Sequence, residues 1–130
     1  MSILRIAALS GVLLSLSAAQ ALAHATLVSS VPAASATVAS TSKIDLHFSE
    51  ALVEKFSGAE LSSTRMMMGD KMMDHVMKID GVSTALDPAD KKTMIVTLKA
   101  PLAAGAYKLV WRAVAGDTHR SQGDHSFTVK

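Results

Sequence analysis

The chain has 130 residues, with 13 Lys and Arg against 11 Asp and Glu, an aromatic content of 4%, and no Cys. Near-balanced charge without a basic cluster, and few rings to stack on bases, exclude a nucleic-acid surface. The lack of Cys rules out disulfides and thiolate metal sites, so the fold must hold by packing and the soft donor left for a metal is Met.

Residues 1–23 read as a secretory signal. Arg5 forms a short positive n-region, Ile6 to Leu16 is an apolar stretch of the right length, and the small residues Ala21 and Ala23 flank Leu22 at the cut. An uncleaved anchor is the alternative, but the run is short and interrupted by Ser and Gly. No second apolar run follows, so His24 to Lys130 is expected to be one soluble exported domain. Cleavage after Ala23 makes His24 the first residue. Its free amine and imidazole Nδ1 can then close a six-membered chelate ring on a metal, which an internal His cannot do because its backbone nitrogen is an amide.

The rest of the chain reads as short strands between turn signals. Leu27-Val28-Ser29-Ser30 precedes Pro32. Lys43 to Phe48 alternates, with Ile44, Leu46 and Phe48 on one face, and Ala51 to Phe56 has the makings of a short helical turn. Gly58 opens Ala59-Glu60-Leu61-Ser62, and Val76 to Ile79 is a weaker strand. Met94 to Leu98 is β-branched and ends before Pro101. Tyr107, Leu109 and Trp111 alternate after Gly105, and Ser126 to Val129 closes the chain. Such spacing predicts an all-β sandwich or barrel of about seven strands, cupredoxin-like or immunoglobulin-like.

Arg65 to Lys78 breaks the pattern. It holds six of the eight Met residues, mixed with Asp70, Lys71 and Asp74. A core strand would not mix charge and Met in this irregular order, so the segment is expected on a loop or a frayed strand edge. Met is often a flexible core filler. Six around one His on a polar stretch suggest instead a thioether and imidazole set for Cu(I), with His75 beside Met72, Met73 and Met77. Met94, inside an apolar strand, reads as core.

Asp117-Thr118-His119 follows the strand that ends near Val114. In an extended segment, alternate side chains point the same way, so carboxylate and imidazole can converge on one ion. An Asp–His hydrogen bond is the ordinary reading of such a pair. Set beside His24, the nitrogen and oxygen donors suit Cu(II). Glu50, just past a strand, reads as a weak ligand, an outer hydrogen-bond partner or a solvated acid. His47 alternates away from the apolar face. His125 shares the parity of Phe127 and Val129 and is expected to be packed or hydrogen-bonded.

Together these residues resemble the CopC copper-resistance family of bacterial periplasmic proteins. The resemblance begins at His24 and runs through Leu27-Val28-Ser29-Ser30, Lys43 to Glu50, Phe56-Ser57-Gly58-Ala59, the Met segment, Lys92-Thr93-Met94, Trp111-Arg112-Ala113-Val114 and Asp117-Thr118-His119. It implies a small Greek-key β-barrel, cupredoxin-like in outline, with two separated copper sites. His24, Glu50, Asp117 and His119 match the Cu(II) positions. His75 and Met77 match the Cu(I) loop, with Met67 and Met73 as further sulfurs. Ala25 and Arg120 stand where Pro often follows each His. The runs Met66-Met67-Met68 and Met72-Met73 blur the loop's register.

The expected function is a monomeric periplasmic copper carrier, not an enzyme, that passes its ion to a membrane or periplasmic partner. Two other readings compete. One is an oxidative enzyme in which two His brace the copper; its difficulties are a small domain, few aromatics for a sugar face, and a carboxylate where oxygen chemistry needs an open position. The other is an immunoglobulin-like interaction domain with incidental metal affinity.

Overall fold

The computed structural model describes residues 24–130; the secretory-signal reading of residues 1–23, with its cut after Ala23, lies outside the described residues. Among the described residues nine strands run in chain order: β1 Leu27–Val31, β2 Thr37–Val38, β3 Lys43–Phe48, β4 Gly58–Met68, β5 Lys71–Lys78, β6 Val82–Leu86, β7 Thr93–Leu98, β8 Gly105–Val114 and β9 Arg120–Val129. One turn of 3-10 helix, Glu54–Phe56, bears out the helical turn expected there. The expected count of seven strands was low. β2 has only two residues, and the region from Lys71 to Leu86 yields two strands, β5 and β6, where one weak one was read.

The strands form two sheets, ordered β1-β3-β7-β6 and β2-β9-β8-β4-β5. Every pair is antiparallel except β2 with β9. The sheets remain separate, so the fold is an open sandwich and not a closed barrel.

Period-two alternation fills the space between them. Ile44, Leu46 and Phe48 of β3 and Met94, Val96 and Leu98 of β7 are buried on one sheet. Leu61, Tyr107, Leu109, Trp111, Ala113, Phe127 and Val129 are buried on the other. Phe48 and Trp111 meet across this core edge to face at 5.0 Å, and Tyr107 stacks on its cross-strand partner Phe127 within the five-stranded sheet at 5.8 Å. The Tyr107 hydroxyl donates to the Ala103 carbonyl at 2.6 Å, which locks the turn into β8. Burial raises its pKa above the ordinary phenol value. Met94 is core, as its strand pattern indicates.

β8 is the spine that sets the distance between the molecule's two ends. Its first residue, Gly105, pairs with Met66, and its last, Val114, pairs with Arg120. A Cβ on Gly105 would overlap the Arg65 carbonyl, so only Gly lets β4 pass this closely. Ten residues of strand at ~3.3 Å each separate the ends by roughly 30 Å.

Candidate metal centres at opposite ends of one strand

At the far end of β8 the chain leaves Val114, crosses a turn and re-enters the sheet at Arg120. Asp117-Thr118-His119 lies on that turn, not in extended chain. The Thr118 amide donates to the Ala115 carbonyl at 2.9 Å, and Thr118 has φ 71. Strand alternation therefore does not bring Asp117 and His119 together; a left-handed residue between them does. A β-branched residue rarely adopts this conformation, which costs on the order of 1–2 kcal/mol.

Asp117 holds His119 at two points. Its Oδ1 accepts the His119 amide at 3.0 Å, and its Oδ2 meets Nδ1 of the ring at 2.8 Å. These contacts hold the Asp117 carboxyl below the usual range: the His119 amide does most, then its ring, with smaller help from the charges of His119 and His24. With Nδ1 engaged, Nε2 is the nitrogen left to face outward. A carboxylate has about four lone-pair positions, so Asp117 retains acceptor capacity beyond these two bonds.

His24 arrives from the other end of the described chain. Its ring meets the His119 ring edge to face with centroids 4.9 Å apart. Two short anchors place it. The Ser121 hydroxyl donates to the Ala25 carbonyl at 2.6 Å, and the side chain of Ala25 is buried. The Thr26 amide donates to the Ser49 hydroxyl at 3.0 Å, and the Ser49 amide donates to the Thr26 carbonyl at 2.9 Å. Glu50 follows Ser49 and lines a shallow depression of about 300 Å³ with Ala51, Ala115, Gly116 and Asp117. Ser49 and Ser121 were missed in the sequence. Ser49 at least stood inside a recognised run, whereas nothing distinguishes Ser121 from any other strand Ser.

Three of the four expected N/O residues thus meet in one cluster, and Glu50 shares a depression with one of them. Among the described residues, no three His, Asp or Glu side chains are closed into a metal-holding group. The two imidazoles face edge to plane, and in the 130-residue chain the His24 nitrogen is still an amide.

The Met segment lies at the other end of β8. It is neither loop nor frayed: β4 and β5 form a hairpin closed by Gly69-Asp70, with Gly69 at φ 65, and β5 is the outer edge of its sheet. Register assigns faces. Met66 pairs with Met73, Met67 with Met72, and Arg65 with Asp74. Met66 and Met73 therefore share the face that continues the core side, where Gly105 lies opposite Met66. Met67 and Met72 share the outer face with Arg65 and Asp74, which form an ion pair at 3.0 Å. Met77 stands opposite buried Ser63, again on the inner side. A register shift falls between Ser63 and Arg65, so residues 75 and 76 stand against the single residue Thr64. His75 sits at this bulge. Met67, Met68, Met72, Met73 and Met77 are all exposed, so the four-stranded sheet does not cover the hairpin tip. Both faces meet solvent there, which is how charge and Met coexist in one strand.

The other His residues are accounted for. His47 Nδ1 lies 3.0 Å from the Thr93 hydroxyl on the solvent side of β3. His125 is buried beside Phe127, and both ring nitrogens lack a hydrogen-bond partner. Burial lowers its pKa below the ordinary imidazole value, against weaker opposing effects of the Pro32 carbonyl and Asp124.

An open antiparallel sandwich with an imidazole–carboxylate cluster at one end and an overhanging Met hairpin at the other defines a small, all-β domain with two separated sets of candidate metal ligands. Residues 27–130 match the CopC domain, and the chain belongs to that family. It is 45% identical over 130 residues to Copper resistance protein C of Escherichia coli, covering 100% of both chains. It is 48% identical over 112 residues to Copper resistance protein C of Pseudomonas syringae pv. tomato, covering 86% of this chain and 85% of that protein. In structure it is similar to PcoC, a methionine-rich copper resistance protein from Escherichia coli, with TM-score 0.72 and 44% identity over 83% of this chain and 100% of that one. CopC from Methylosinus trichosporium OB3b shares the fold, with TM-score 0.66 at 20% identity over 82% of this chain and 94% of that one.

Proposed function

We propose that this protein is a copper-resistance protein that carries copper in the periplasm, after export and cleavage at Ala23. Copper is its cargo. Cu(II) is taken by the His24 amine and imidazole, His119 Nε2 and oxygens of Asp117 and Glu50. Cu(I) is taken by His75 with sulfurs from Met67, Met73 and Met77. Because Met66, not Met67, stands across from Met73, Met66 is the natural substitute for Met67 in that set. The observation that carries the reading is the contact between the His24 and His119 rings, with Asp117 bracing His119. Rings already 4.9 Å apart need side-chain rotation to share an ion, and little more. The names and structures of the relatives support copper as the metal.

Softness sorts the two oxidation states, since imidazole, amine and carboxylate suit Cu(II) and thioether suits Cu(I). The exposed Met surface is the proposed point of handover to a membrane or periplasmic partner, as Met side chains adapt to varied surfaces. Carriage fits better than catalysis, because Asp117 and Glu50 fill positions that oxygen chemistry would need open. The test is Cu(II) titration, followed by EPR, of protein beginning at His24 and of a variant with one residue added before it. Weaker binding and an altered spectrum are expected for the extended variant. Equal affinity with identical spectra would sink the chelate.

A further inference from the structure

The 3-10 turn and the ends of β8 and β9 enclose a cleft of about 580 Å³ on the outer face of the five-stranded sheet, and we infer that it docks an acidic segment of a partner protein. Lys55, Arg112 and Arg120 line it, and its lining includes no carboxylate. Among the described residues, none of these three cations has an ion pair. The nearest acid along the chain, Glu54, is committed elsewhere, its Oε1 accepting the Leu86 amide at 3.0 Å.

The cleft is built in advance. The Val53 amide donates to the Val114 carbonyl at 2.8 Å, and the Val114 amide donates to the Ser57 hydroxyl at 3.0 Å. These bonds clamp the 3-10 turn to the end of β8 and fix Phe56 at the cleft with 52% of its surface exposed. The Lys55 ammonium stands 5.6 Å from the centre of the Phe56 ring. Arg112 lies across Gly58, its strand partner: a Cβ there would come within 3.1 Å of Nη2 and 3.3 Å of Cζ. A glycine at that position lets the guanidinium lie close to the backbone.

The arrangement favours a polypeptide over a small anion. Each exposed cation gains little from a single carboxylate in water. A segment bearing several carboxylates around an apolar side chain can engage all three cations at once and cover Phe56. Charge complementarity of this kind acts mainly on encounter rate and partner choice. A smaller depression lined by Val53, Phe56, Val114, Thr118 and Arg120 extends the cleft to the Asp117–His119 turn, so a docked partner would sit beside that turn. The inference does not rest on copper binding, and its test adds none.

The experiment is NMR titration of the isotopically labelled protein with a blocked synthetic peptide of alternating Glu and Leu. A peptide with Lys in place of every Glu, and free succinate, serve as controls. Saturable shifts are expected at the amides of Phe56, Arg112, Arg120 and Gln122 with the acidic peptide alone. Binding should weaken about tenfold in R112Q/R120Q and in a second pair, K55Q/R120Q, which leaves the contact with Gly58 intact. The inference is overturned by shifts scattered away from the cleft, by binding that neither pair weakens, or by succinate binding as tightly as the peptide.

Discussion

The imidazoles of His24 and His119 stand edge to face, 4.9 Å apart, although they come from opposite ends of the described chain. Asp117 governs one side of this contact by holding both the amide and Nδ1 of His119. Asp117→Asn keeps the shape but removes the charge and the preference for a proton on Nδ1. Loss of such a bracing carboxylate typically costs about 10–100-fold in metal affinity. We expect Cu(II) binding to weaken by that order and its EPR spectrum to change, with Cu(I) binding and the thermal midpoint nearly unaltered. An unchanged Cu(II) affinity would remove Asp117 from the site.

The other side of the contact depends on Ser121, whose hydroxyl donates to the Ala25 carbonyl at 2.6 Å. Ser121→Ala removes one hydrogen bond, worth about 1 kcal/mol of stability. It also frees the segment that carries His24. Calorimetry should show Cu(II) affinity falling several-fold while Cu(I) affinity at the far end of β8 stays level. A parallel fall at both ends would point to a general loss of structure.

How much of this was legible in the sequence depends on range. Strands β3 and β8 announce themselves through alternation, because each has one face in the core, and β7 through its β-branched residues. Asp117 and His119 stood out by spacing, yet the mechanism of their convergence did not. Nothing in the letters shows that Thr118 is left-handed, since the turn bonds joining Ala115 to Thr118 and to His119 hold it there against the preference of a β-branched residue. The Met segment hid its strands for a related reason. With no second layer over the hairpin tip, neither face needs to be uniformly apolar, so the period of two is lost. Ser121 and the cleft cations were invisible because their roles arise only when β8, β9 and the 3-10 turn meet.

Thr118 supplies a further test. Replacing it with Asn, which tolerates the left-handed region, should relieve part of the backbone strain and raise stability by up to ~1 kcal/mol. Chemical denaturation of the metal-free protein reads this directly. Pro at the same position, with its φ held near −65°, should instead break the turn and abolish the Asp117–His119 geometry. A Thr118→Asn protein less stable than its parent would show that the hydroxyl or methyl of Thr118 contributes more than the strain costs.

His125 makes the fold sensitive to acid. Burial depresses its pKa, so the folded protein holds it neutral at a pH where the unfolded chain, with a value of about 6.5, already binds a proton. Uptake by the unfolded state alone lowers stability as pH falls below that unfolded value, and the loss continues until the folded pKa is passed. The full contribution is present above about pH 7. The urea midpoint should therefore drop between pH 7.5 and 5.5, and it should drop less in His125→Leu. Other groups titrate alike in both proteins, so the difference between them isolates His125. Equal drops would mean that the ring is protonated without penalty in the fold.

The hairpin register makes the sharpest prediction about sulfur. Met73 and Met77 lie on the inner side, with Met66 directly across from Met73, whereas Met67 shares the outer face with Met72 and the Arg65–Asp74 ion pair. A small ion bound between strands takes ligands from one face, because successive side chains on a strand point to opposite sides. Leu preserves the volume and apolarity of Met but removes the sulfur. Met73→Leu and Met77→Leu should each weaken Cu(I) binding roughly tenfold in competition with a chromogenic chelator. Met66→Leu should cost more than Met67→Leu. The reverse order would mean that the hairpin twists enough at Gly69 to carry Met67 over to the inner side, and that the ion is held at the tip and not along the strands.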